Sequence, residues 1–445
     1  MTDLTPTRFD VLVAGGAAAG LCAAIAARLA GASVRLVEAA PEALRGGNTR
    51  HARNFRIAHA GPAPYVPDSY RPEEFLADLL RVTGGDTDEP LARTLIRASA
   101  GIAPWLLAAG VRLQALDRGV LPYSRRTAFL LGGGKAMVNA LYATAEALGV
   151  VVSYDTTLVD LRPDDGDCAV VLDTAAGRES MLSRAVVVAT GGHQADLAQL
   201  RVDLGPAADR LVVRGSQYCT GHGLDLLLGL GAEPVGDRAS AHLVAVDARG
   251  PRFDGGIVTR MTGIPHGIVV DRTGRRLADE RADTRRTHYA QWGPRIAACP
   301  DQLAYLIVDQ DGLRRVGPTA LAPVTAPSVA ELARRLEIDP ASLDATVRTF
   351  NAEAAEREPA VRPLAALPLA AWPLLPGLTF THFGVAVDTG MRVRLRGGRR
   401  SERVFAAGTT MAANVLRHGY LAGLGLTLAA VSGRIAGEEA ARAAA

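Results

Sequence analysis

The sequence predicts an α/β protein in which an α+β domain is inserted into a domain with a parallel sheet. Near the N-terminus, two apolar runs flank a glycine-rich turn and a small-residue stretch within residues 9–38. Two further buried-strand patterns stand at 185–189 and 404–407. The segment 241–380 separates them, with short strands and polar turns, then an amphipathic helix near Val329–Leu336, then proline-rich stretches. A chain of 445 residues is long enough for more than one domain.

The N-terminal segment has the pattern of a βαβ unit. Phe9–Ala14 and Ser33–Val37 are predicted strands, and Leu21–Ala30 is a predicted helix of small residues. The turn between them is Gly15–Gly20 (GGAAAG), and Glu38 follows the second strand. A strand, a glycine turn, a helix, a strand and an acid in this order are typical of a Rossmann-like dinucleotide-binding domain.

The residues of the turn suit a bound dinucleotide. Gly15 permits the sharp turn, Gly20 lets the helix pack closely, and the helix N-terminus offers N–H groups to a pyrophosphate. Ala17 replaces the usual middle glycine, and its methyl group narrows the approach without blocking it. Glu38 can accept hydrogen bonds from ribose hydroxyls. The predicted contacts are Gly15, Gly16, Ala17, Ala18, Ala19, Gly20, Glu38 and Ala39.

A second loop favours FAD over NAD as the dinucleotide. Residues 45–56 (RGGNTRHARNFR) contain two adjacent glycines and four arginines. Such a loop can lay backbone N–H groups and cations along the phosphates and ring of a cofactor. The glycines at 132–134 and 191–192 also allow close backbone approach. The predicted FAD contacts here are Arg45, Gly46, Gly47, Asn48, Thr49, Arg53, Asn54, Thr190, Gly191 and Gly192.

Composition argues against several other classes of protein. The net charge is +3 and the basic residues are scattered, so no nucleic-acid partner is predicted. The four cysteines form no CxxC or CxxCH motif, so we expect no iron–sulfur centre, haem or metal site. We also predict reduced cysteines, no signal peptide, no membrane span and a cytoplasmic location.

With these segments in order, nearly the whole chain resembles flavoprotein subunits of the fumarate reductase and succinate dehydrogenase superfamily. It is most similar to the tricarballylate dehydrogenase branch, with the related flavoprotein part of precorrin-3B synthase. The narrower resemblance rests on RGGNTRHARN at 45–54, GGGKAMVNALY at 132–142, GIVVDRTGRR at 267–276, YAQWG at 289–293 and GYLAGLGLT through GRIAG at 419–437. It implies an FAD domain (1–240 and 381–445) interrupted by a mobile capping domain (241–380).

The resemblance also implies how FAD is held. The start of the last helix, within Gly419–Gly425, would stabilise negative charge on the N1 and C2-carbonyl side of the reduced flavin. Some members attach FAD covalently through a histidine, but Asn48 stands at that place. We therefore expect noncovalent FAD, with His51 as the alternative covalent anchor. The remaining predicted cofactor contacts are Gly408, Thr409, Gly423 and Leu424.

The resemblance assigns proton transfer to the residues that follow GIVVDRTGRRLADE. The family's proton-carrying arginine falls near Arg285 and Arg286, which can bind a carboxylate or relay a proton. His288 and Tyr289 are rival proton acceptors. The usual relay glutamate is absent, and Met261 stands near its place.

The predicted substrate-binding residues lie at the domain boundaries and before the last helix. His242 falls where the family has a carboxylate-binding histidine, and His382 lies near the second such position. Tyr420 replaces the arginine that usually grips a carboxylate, although Arg417 and His418 can supply a cation. This departure argues against plain fumarate reductase or succinate dehydrogenase activity and agrees with the tricarballylate branch.

The sequence thus predicts an FAD-dependent oxidoreductase that dehydrogenates a CH–CH bond of a small polycarboxylate, as in conversion of tricarballylate to cis-aconitate. A separate electron-transfer partner is expected, namely a membrane iron–sulfur and haem protein that would bring the chain to the inner membrane face. Two alternatives stay open. One is an enzyme of this fold acting on a larger polyanion such as a cobalamin precursor, and the other is a flavin-binding assembly subunit without catalysis.

Overall fold

The structure is a computed structural model that describes residues 7–116, 125–164, 166–255, 258–281, 288–354, 356 and 362–445. Its strands are β1 (Arg8–Ala14), β2 (Val34–Val37), β3 (Asn54–Arg56), β4 (Thr127–Phe129), β5 (Val151–Ser153), β6 (Thr157–Pro163), β7 (Cys168–Thr174), β8 (Gly177–Val188), β9 (Val212–Val213), β10 (Pro234–Asp247), β11 (Ile268–Asp271), β12 (Ala304–Val308), β13 (Val324–Ala326), β14 (Leu369–Val385), β15 (Arg392–Leu395) and β16 (Arg399–Ala406). Its helices are α1 (Ala18–Leu29), α2 (Pro72–Thr83), α3 (Glu89–Ser99), α4 (Ile102–Ala108), α5 (Gly133–Ala147), α6 (Leu197–Leu204), α7 (His222–Gly229), α8 (Trp292–Ala297), α9 (Gln310–Val316), α10 (Val329–Leu336), α11 (Pro340–Ala354), α12 (Thr409–Ala412) and α13 (Leu424–Ala444).

The chain divides into two compact units. Unit 1 consists of Met1–Asp203, Gly215–Ala241 and Phe380–Ala445. Unit 2 consists of Leu204–Arg214 and His242–Thr379. The sequence prediction had left the short segment 204–214 in the first domain, because nothing in its composition distinguishes it from its neighbours.

Unit 1 is built on a mixed sheet with the strand order β15-β16-β8-β1-β2-β5. The pairs β1–β2, β1–β8, β2–β5 and β16–β8 are parallel. The second half of β1, Val11–Ala14, is a continuous apolar run that is buried, as expected for a parallel strand covered on both faces. The sequence predicted only the C-terminal part of β8. Its first half alternates in burial and forms an antiparallel hairpin with β7.

Helices α1 and α13 pack against each other through small residues. A Cβ atom added to Gly433 would lie 2.1 Å from the carbonyl oxygen of Ala19, and one on Gly437 would lie 2.1 Å from that of Ala23. The matching order of the two contacts shows that the helices run parallel. The backbones therefore approach so closely that a side chain at either glycine would separate them.

Unit 2 has its own sheet, in which β14 pairs antiparallel with β12 and β13, and β12 with β11. Helix α10 spans the predicted range Val329–Leu336, and Leu332 and Leu336 are buried in a core with residues of α11. The segment that the sequence showed as proline-rich partly forms β14. Pro373 lies in this strand opposite Tyr305.

The helix contact gives a prediction for stability. Gly437→Ala should lower the free energy of unfolding by about 1–3 kcal/mol, because the new methyl group overpacks the α1–α13 contact. The control is Gly229→Ala at the exposed end of α7, where a Cβ meets nothing within 4 Å. That control should be neutral or stabilising by up to about 1 kcal/mol. Urea unfolding of both variants checks this, and equal changes would contradict the close contact.

Candidate functional site

The glycine turn leads directly from β1 into α1. Gly15 has φ of +103°, and a Cβ there would lie 2.5 Å from the carbonyl oxygen of Ala189. A Cβ on Gly20 would lie 1.7 Å from the carbonyl oxygen of Gly15. Ala17 caps the helix in extended conformation, and α1 begins at Ala18. The turn therefore has no room for a side chain at Gly15 or Gly20. It leads into the N-terminus of α1, where the first N–H groups have no partner within the helix.

Glu38 is buried beside this turn at the end of β2. Its carboxylate accepts hydrogen bonds from the N–H groups of Gly16 and Ala40, both at 2.9 Å. Burial raises the pKa of Glu38, and the backbone N–H groups oppose that rise by stabilising the ionised form. A carboxylate held in this way keeps further lone pairs for the hydroxyls of a ribose. Ala39 follows it in the chain.

The loop after β2 is tied to the N-terminus of α1. The N–H of Ala18 donates to the hydroxyl oxygen of Thr49 at 3.0 Å. The side-chain oxygen of Asn48 accepts from the N–H of Ser216 at 2.9 Å. Gly46 and Gly47 both have positive φ, so the loop turns within two residues. These bonds bring Gly46–Thr49 next to the predicted pyrophosphate site.

Arg45 has aromatic and acidic neighbours within unit 1. Its guanidinium carbon lies 4.2 Å from the centre of the Tyr142 ring and 5.5 Å from that of Tyr154. It also forms an ion pair with Glu42 at 3.2 Å. We therefore see Arg45 as part of the wall of the nucleotide site, held by stacking, rather than as a free cation for phosphates. Arg53 directly precedes β3, and Asn54 is the first residue of that strand.

Several buried polar atoms of unit 1 test whether FAD fits. The Tyr142 hydroxyl, the Thr190 hydroxyl, the Gln194 side-chain oxygen and the Thr381 hydroxyl have no hydrogen-bond partner among the described residues. A Cβ on Gly192 would lie 3.1 Å from the Gln194 oxygen and 3.2 Å from that of Thr381. Buried polar groups normally have partners. These atoms, together with the glycine turn and Glu38, fit a polar dinucleotide such as FAD.

The start of α13 is the second helix N-terminus that the sequence predicts to contact FAD. Gly423 caps it with φ of +82°, and Leu424 is its first residue. Gly408 precedes α12, which begins at Thr409, and the N–H of Gly408 donates to the Ser432 hydroxyl at 2.9 Å. The segment after β16 is thus fixed to the middle of α13.

Unit 1 also contains a cavity of about 310 Å³ lined by Asp86, Gly236, Asp237, Ser240, Arg417 and His418. A guanidinium N–H of Arg417 donates to the Asp86 carboxylate at 2.8 Å, whereas its buried Nε finds no hydrogen-bond partner in the part of the chain that the structure describes. His418 Nδ1 lies 3.8 Å from the same carboxylate. The predicted residues Arg417 and His418 therefore line the same cavity, and the Asp86 carboxylate beside them balances part of the positive charge.

His382 is buried next to the residues of this cavity. Its Nδ1 lies 2.8 Å from the Ser240 hydroxyl, and its Nε2 has no hydrogen-bond partner among the described residues. Burial, and after it the charge of His418, lowers the pKa of His382 to about 4. The ring is therefore neutral at pH 7 and can donate one hydrogen bond but no charge. The rings of His382 and Tyr420 both lie beside that of Phe380. The distances between ring centres are 5.4 Å for His382 and 6.1 Å for Tyr420.

Unit 2 brings together a different set of predicted residues. The rings of His242 and Tyr289 have centres 6.3 Å apart, and His242 is buried. The guanidinium carbon of Arg260 lies 4.4 Å from the centre of the Tyr289 ring, and the buried Nε of Arg260 has no hydrogen-bond partner within the described ranges. Arg285 and Arg286 lie outside the described residues. His288 begins the short turn His288–Gln291, and its side chain lies outside the described residues as well.

Sequence reasoning missed four residues of these two clusters. Ser240 stands in the same strand as His242, and Arg260 is next to Met261, so the motifs already quoted were the available signals for both. No sequence pattern indicated Asp86 or Asp237. An aspartate of the kind common on surfaces can be assigned to a site only when its neighbours in the fold are known.

The family model described as "FAD binding domain" matches residues 10–428. The chain belongs to this family. The NADH:fumarate oxidoreductase of Klebsiella pneumoniae is 26% identical over 423 residues, which are 87% of this chain and 43% of that protein. The chain thus spans less than half of that relative. The fumarate reductase (cytochrome) of Shewanella frigidimarina is 26% identical over 459 residues, covering 97% of this chain and 77% of that protein.

Solved structures show the same fold. The open conformation of a flavocytochrome c3 fumarate reductase has a TM-score of 0.80 at 22% identity, covering 99% of this chain and 79% of that chain. The 3-ketosteroid Δ1-dehydrogenase of Sterolibacterium denitrificans also has a TM-score of 0.80, at 17% identity, covering 98% of this chain and all of that one, 100%.

These findings confirm the predicted α/β fold, the FAD cofactor and the fumarate reductase and succinate dehydrogenase flavoprotein superfamily. The chain is an FAD-binding oxidoreductase of this superfamily. Among the described residues, no helix has the length and apolar character needed to span a membrane. The same residues contain no group of three or more histidine, cysteine, aspartate or glutamate side chains placed to hold a metal ion.

The geometry of Glu38 gives a prediction for cofactor binding. Glu38→Gln should weaken FAD binding by about 1–3 kcal/mol, since charged hydrogen bonds to a sugar are lost. The control is Glu179→Gln, which removes a carboxylate that pairs with Arg35. Fluorescence titration of the apoprotein with FAD measures both. An unchanged Kd for Glu38→Gln would show that Glu38 does not hold the ribose.

Proposed function

We propose that this chain transfers hydride between FAD and a CH–CH or C=C bond next to a carboxylate group, in a small polycarboxylate of the tricarballylate type. The observation that supports it is the cavity of unit 1, with the buried Nε of Arg417 and the neighbouring Nε2 of His382. Relatives named for fumarate and urocanate reduction act on unsaturated carboxylic acids, which agrees with this class.

The size of the cavity favours a small substrate. About 310 Å³ is at the lower end of the range for pockets that bind small molecules. A cobalamin precursor is a tetrapyrrole with many carboxylate arms and needs far more room. We therefore prefer the polycarboxylate over this alternative.

The charges of the cavity favour recognition through hydrogen bonds. Asp86 engages one side of the Arg417 guanidinium, so the remaining N–H groups are the ones left for a substrate carboxylate. His382 adds a neutral donor, because its pKa of about 4 keeps the ring uncharged at pH 7. The proposal keeps His242, Arg285 and Arg286, which the sequence assigns to the substrate or to proton transfer, as further substrate-binding candidates.

The proton must be carried by another residue. When bound, FAD supplies the group that accepts or donates hydride. A histidine with a pKa of about 4 is a weak base, so we assign His382 to substrate binding rather than to proton abstraction. Tyr289, whose ring lies beside Arg260 and His242, is the described candidate for the proton carrier. His288 and the two arginines before it remain its rivals.

The proposal includes a separate electron-transfer partner. Two relatives are named for the donors that they use, NADH in one and a cytochrome in the other. For this chain we propose an iron–sulfur and haem protein of the membrane, which would hold the enzyme peripherally at the inner membrane face.

The substrate assignment predicts that anaerobic tricarballylate bleaches the bound flavin. Arg417→Met should raise KM or Kd for tricarballylate about 10- to 100-fold with less effect on kcat, because it removes binding shared by ground and transition states. Tyr289→Phe should lower the rate of flavin reduction by about 10²–10⁴-fold while a substrate analogue still binds.

Two matched variants control these changes. Arg400→Met removes an exposed arginine of unit 1, and Tyr305→Phe removes a phenol of unit 2 that donates to the Leu336 carbonyl. Stopped-flow absorbance follows flavin reduction, and the flavin spectral shift follows analogue binding. The assignment is lost if tricarballylate leaves the flavin oxidised, or if Arg417→Met and Tyr289→Phe behave like their controls.

A further inference from the structure

Arg56, at the end of β3, is a buried cation with defined partners. Only 5% of the residue is exposed. One guanidinium nitrogen donates to the Tyr70 hydroxyl at 2.7 Å and to the Asp78 carboxylate at 3.3 Å. The Tyr70 hydroxyl in turn donates to Asp78 at 2.7 Å, and both residues are buried. Each of these three side chains is thus hydrogen-bonded to the other two, forming a network inside unit 1.

The other side of Arg56 contacts the start of α13. Its Nε donates to the carbonyl oxygen of Ala422 at 3.0 Å, two residues before the helix. Its backbone N–H donates to the Thr427 hydroxyl at 2.9 Å, and that hydroxyl donates back to the Arg56 carbonyl. A Cβ on Gly423 would lie 2.9 Å from the Arg56 nitrogen. Side chain and backbone of Arg56 therefore both fix the first turn of α13.

The network remains charged although it is buried. Burial alone would raise the pKa of Asp78, but hydrogen bonds from Tyr70 and Arg81 and the charges of Arg126 and Arg56 bring it below its usual value. Burial lowers the pKa of Arg56, yet a guanidinium stays protonated in proteins. A buried ion pair costs desolvation and adds little net stability. Its use is to specify one geometry, which here is that of the Ala422–Gly423 turn.

We propose that Arg56, held by Asp78 and Tyr70, is a positioning residue that fixes the N-terminus of α13 and thereby sets the reduction potential of the bound FAD. This inference rests on the proposed FAD function and on the expectation, drawn from the family resemblance, that the flavin N1 and C2-carbonyl side lies at the start of α13. The positive end of a helix dipole acts only within about its first turn. Reduced flavin carries more negative charge on that side than oxidised flavin, so a loosened turn stabilises the reduced form less.

Two variants remove different parts of this restraint. Arg56→Lys keeps the charge but loses the planar guanidinium group, which donates to Ala422 and Tyr70 at the same time. Thr427→Val keeps every charge and the side-chain shape but removes the hydroxyl that links α13 to β3. The control is Arg35→Lys, a largely buried arginine of unit 1 that pairs with Glu179 far from α13 in sequence.

The readout is the midpoint potential of the bound FAD, measured by reductive titration against a reference dye. FAD stoichiometry and thermal unfolding are measured in parallel. We expect Arg56→Lys and Thr427→Val to weaken binding of reduced relative to oxidised FAD about tenfold, which lowers the two-electron potential by about 30 mV. Arg35→Lys should leave the potential unchanged.

The inference is overturned if Thr427→Val binds FAD fully and keeps the wild-type potential, or if Arg35→Lys shifts the potential as much. Should Arg56→Lys fail to fold or to bind FAD, Thr427→Val decides alone. The measurement needs no substrate. A failure of tricarballylate to bleach the flavin would therefore refute the substrate proposal while leaving the potential shift as a separate result.

Discussion

The contact between α1 and α13 fixes where the N-termini of these two helices of unit 1 lie relative to each other. Because Gly433 lies against Ala19 and Gly437 against Ala23, the helices run parallel and their positive ends point the same way. Helix α1 begins one residue before Ala19, whereas α13 begins nine residues before Gly433. At 1.5 Å per residue, the start of α13 is displaced by about 12 Å along the shared direction. That offset suits a cofactor whose pyrophosphate and flavin ring are joined by a ribityl chain.

Several other contacts of unit 1 surround or restrain the N-termini of α1 and α13. Glu38 and Thr49 occupy the surroundings of the α1 end, while Gly408 and Arg56 restrain α13. The proposed substrate cavity, which Arg417 lines, differs in character, because Asp86 balances part of its positive charge. The proposed FAD site thus combines helix N-termini with buried side chains such as that of Glu38, whereas the proposed carboxylate recognition relies on side chains alone.

The sequence predicted those features that depend on residues close together in the chain. The GGAAAG turn, β1 and α10 follow local patterns, the arginine-rich loop at 45–56 indicated FAD, and the family resemblance added the superfamily. The first half of β8 escaped prediction because its strand character depends on pairing with β7. Arg56 and Ala422 are 366 residues apart, and Arg417 and Asp86 are 331 apart, so no local pattern signals either contact. The partners of such charged groups become visible only in the fold.

The central claim is that the N-terminus of α13 stabilises the reduced flavin, and the midpoint potential of FAD on the wild-type protein tests it most directly. Bound and free FAD are titrated with the same reductant and dye in the same buffer. A fixed positive helix end beside the N1 and C2-carbonyl side makes the bound cofactor easier to reduce, so its potential should be more positive than that of free FAD. A bound potential equal to or more negative than the free value would contradict the account.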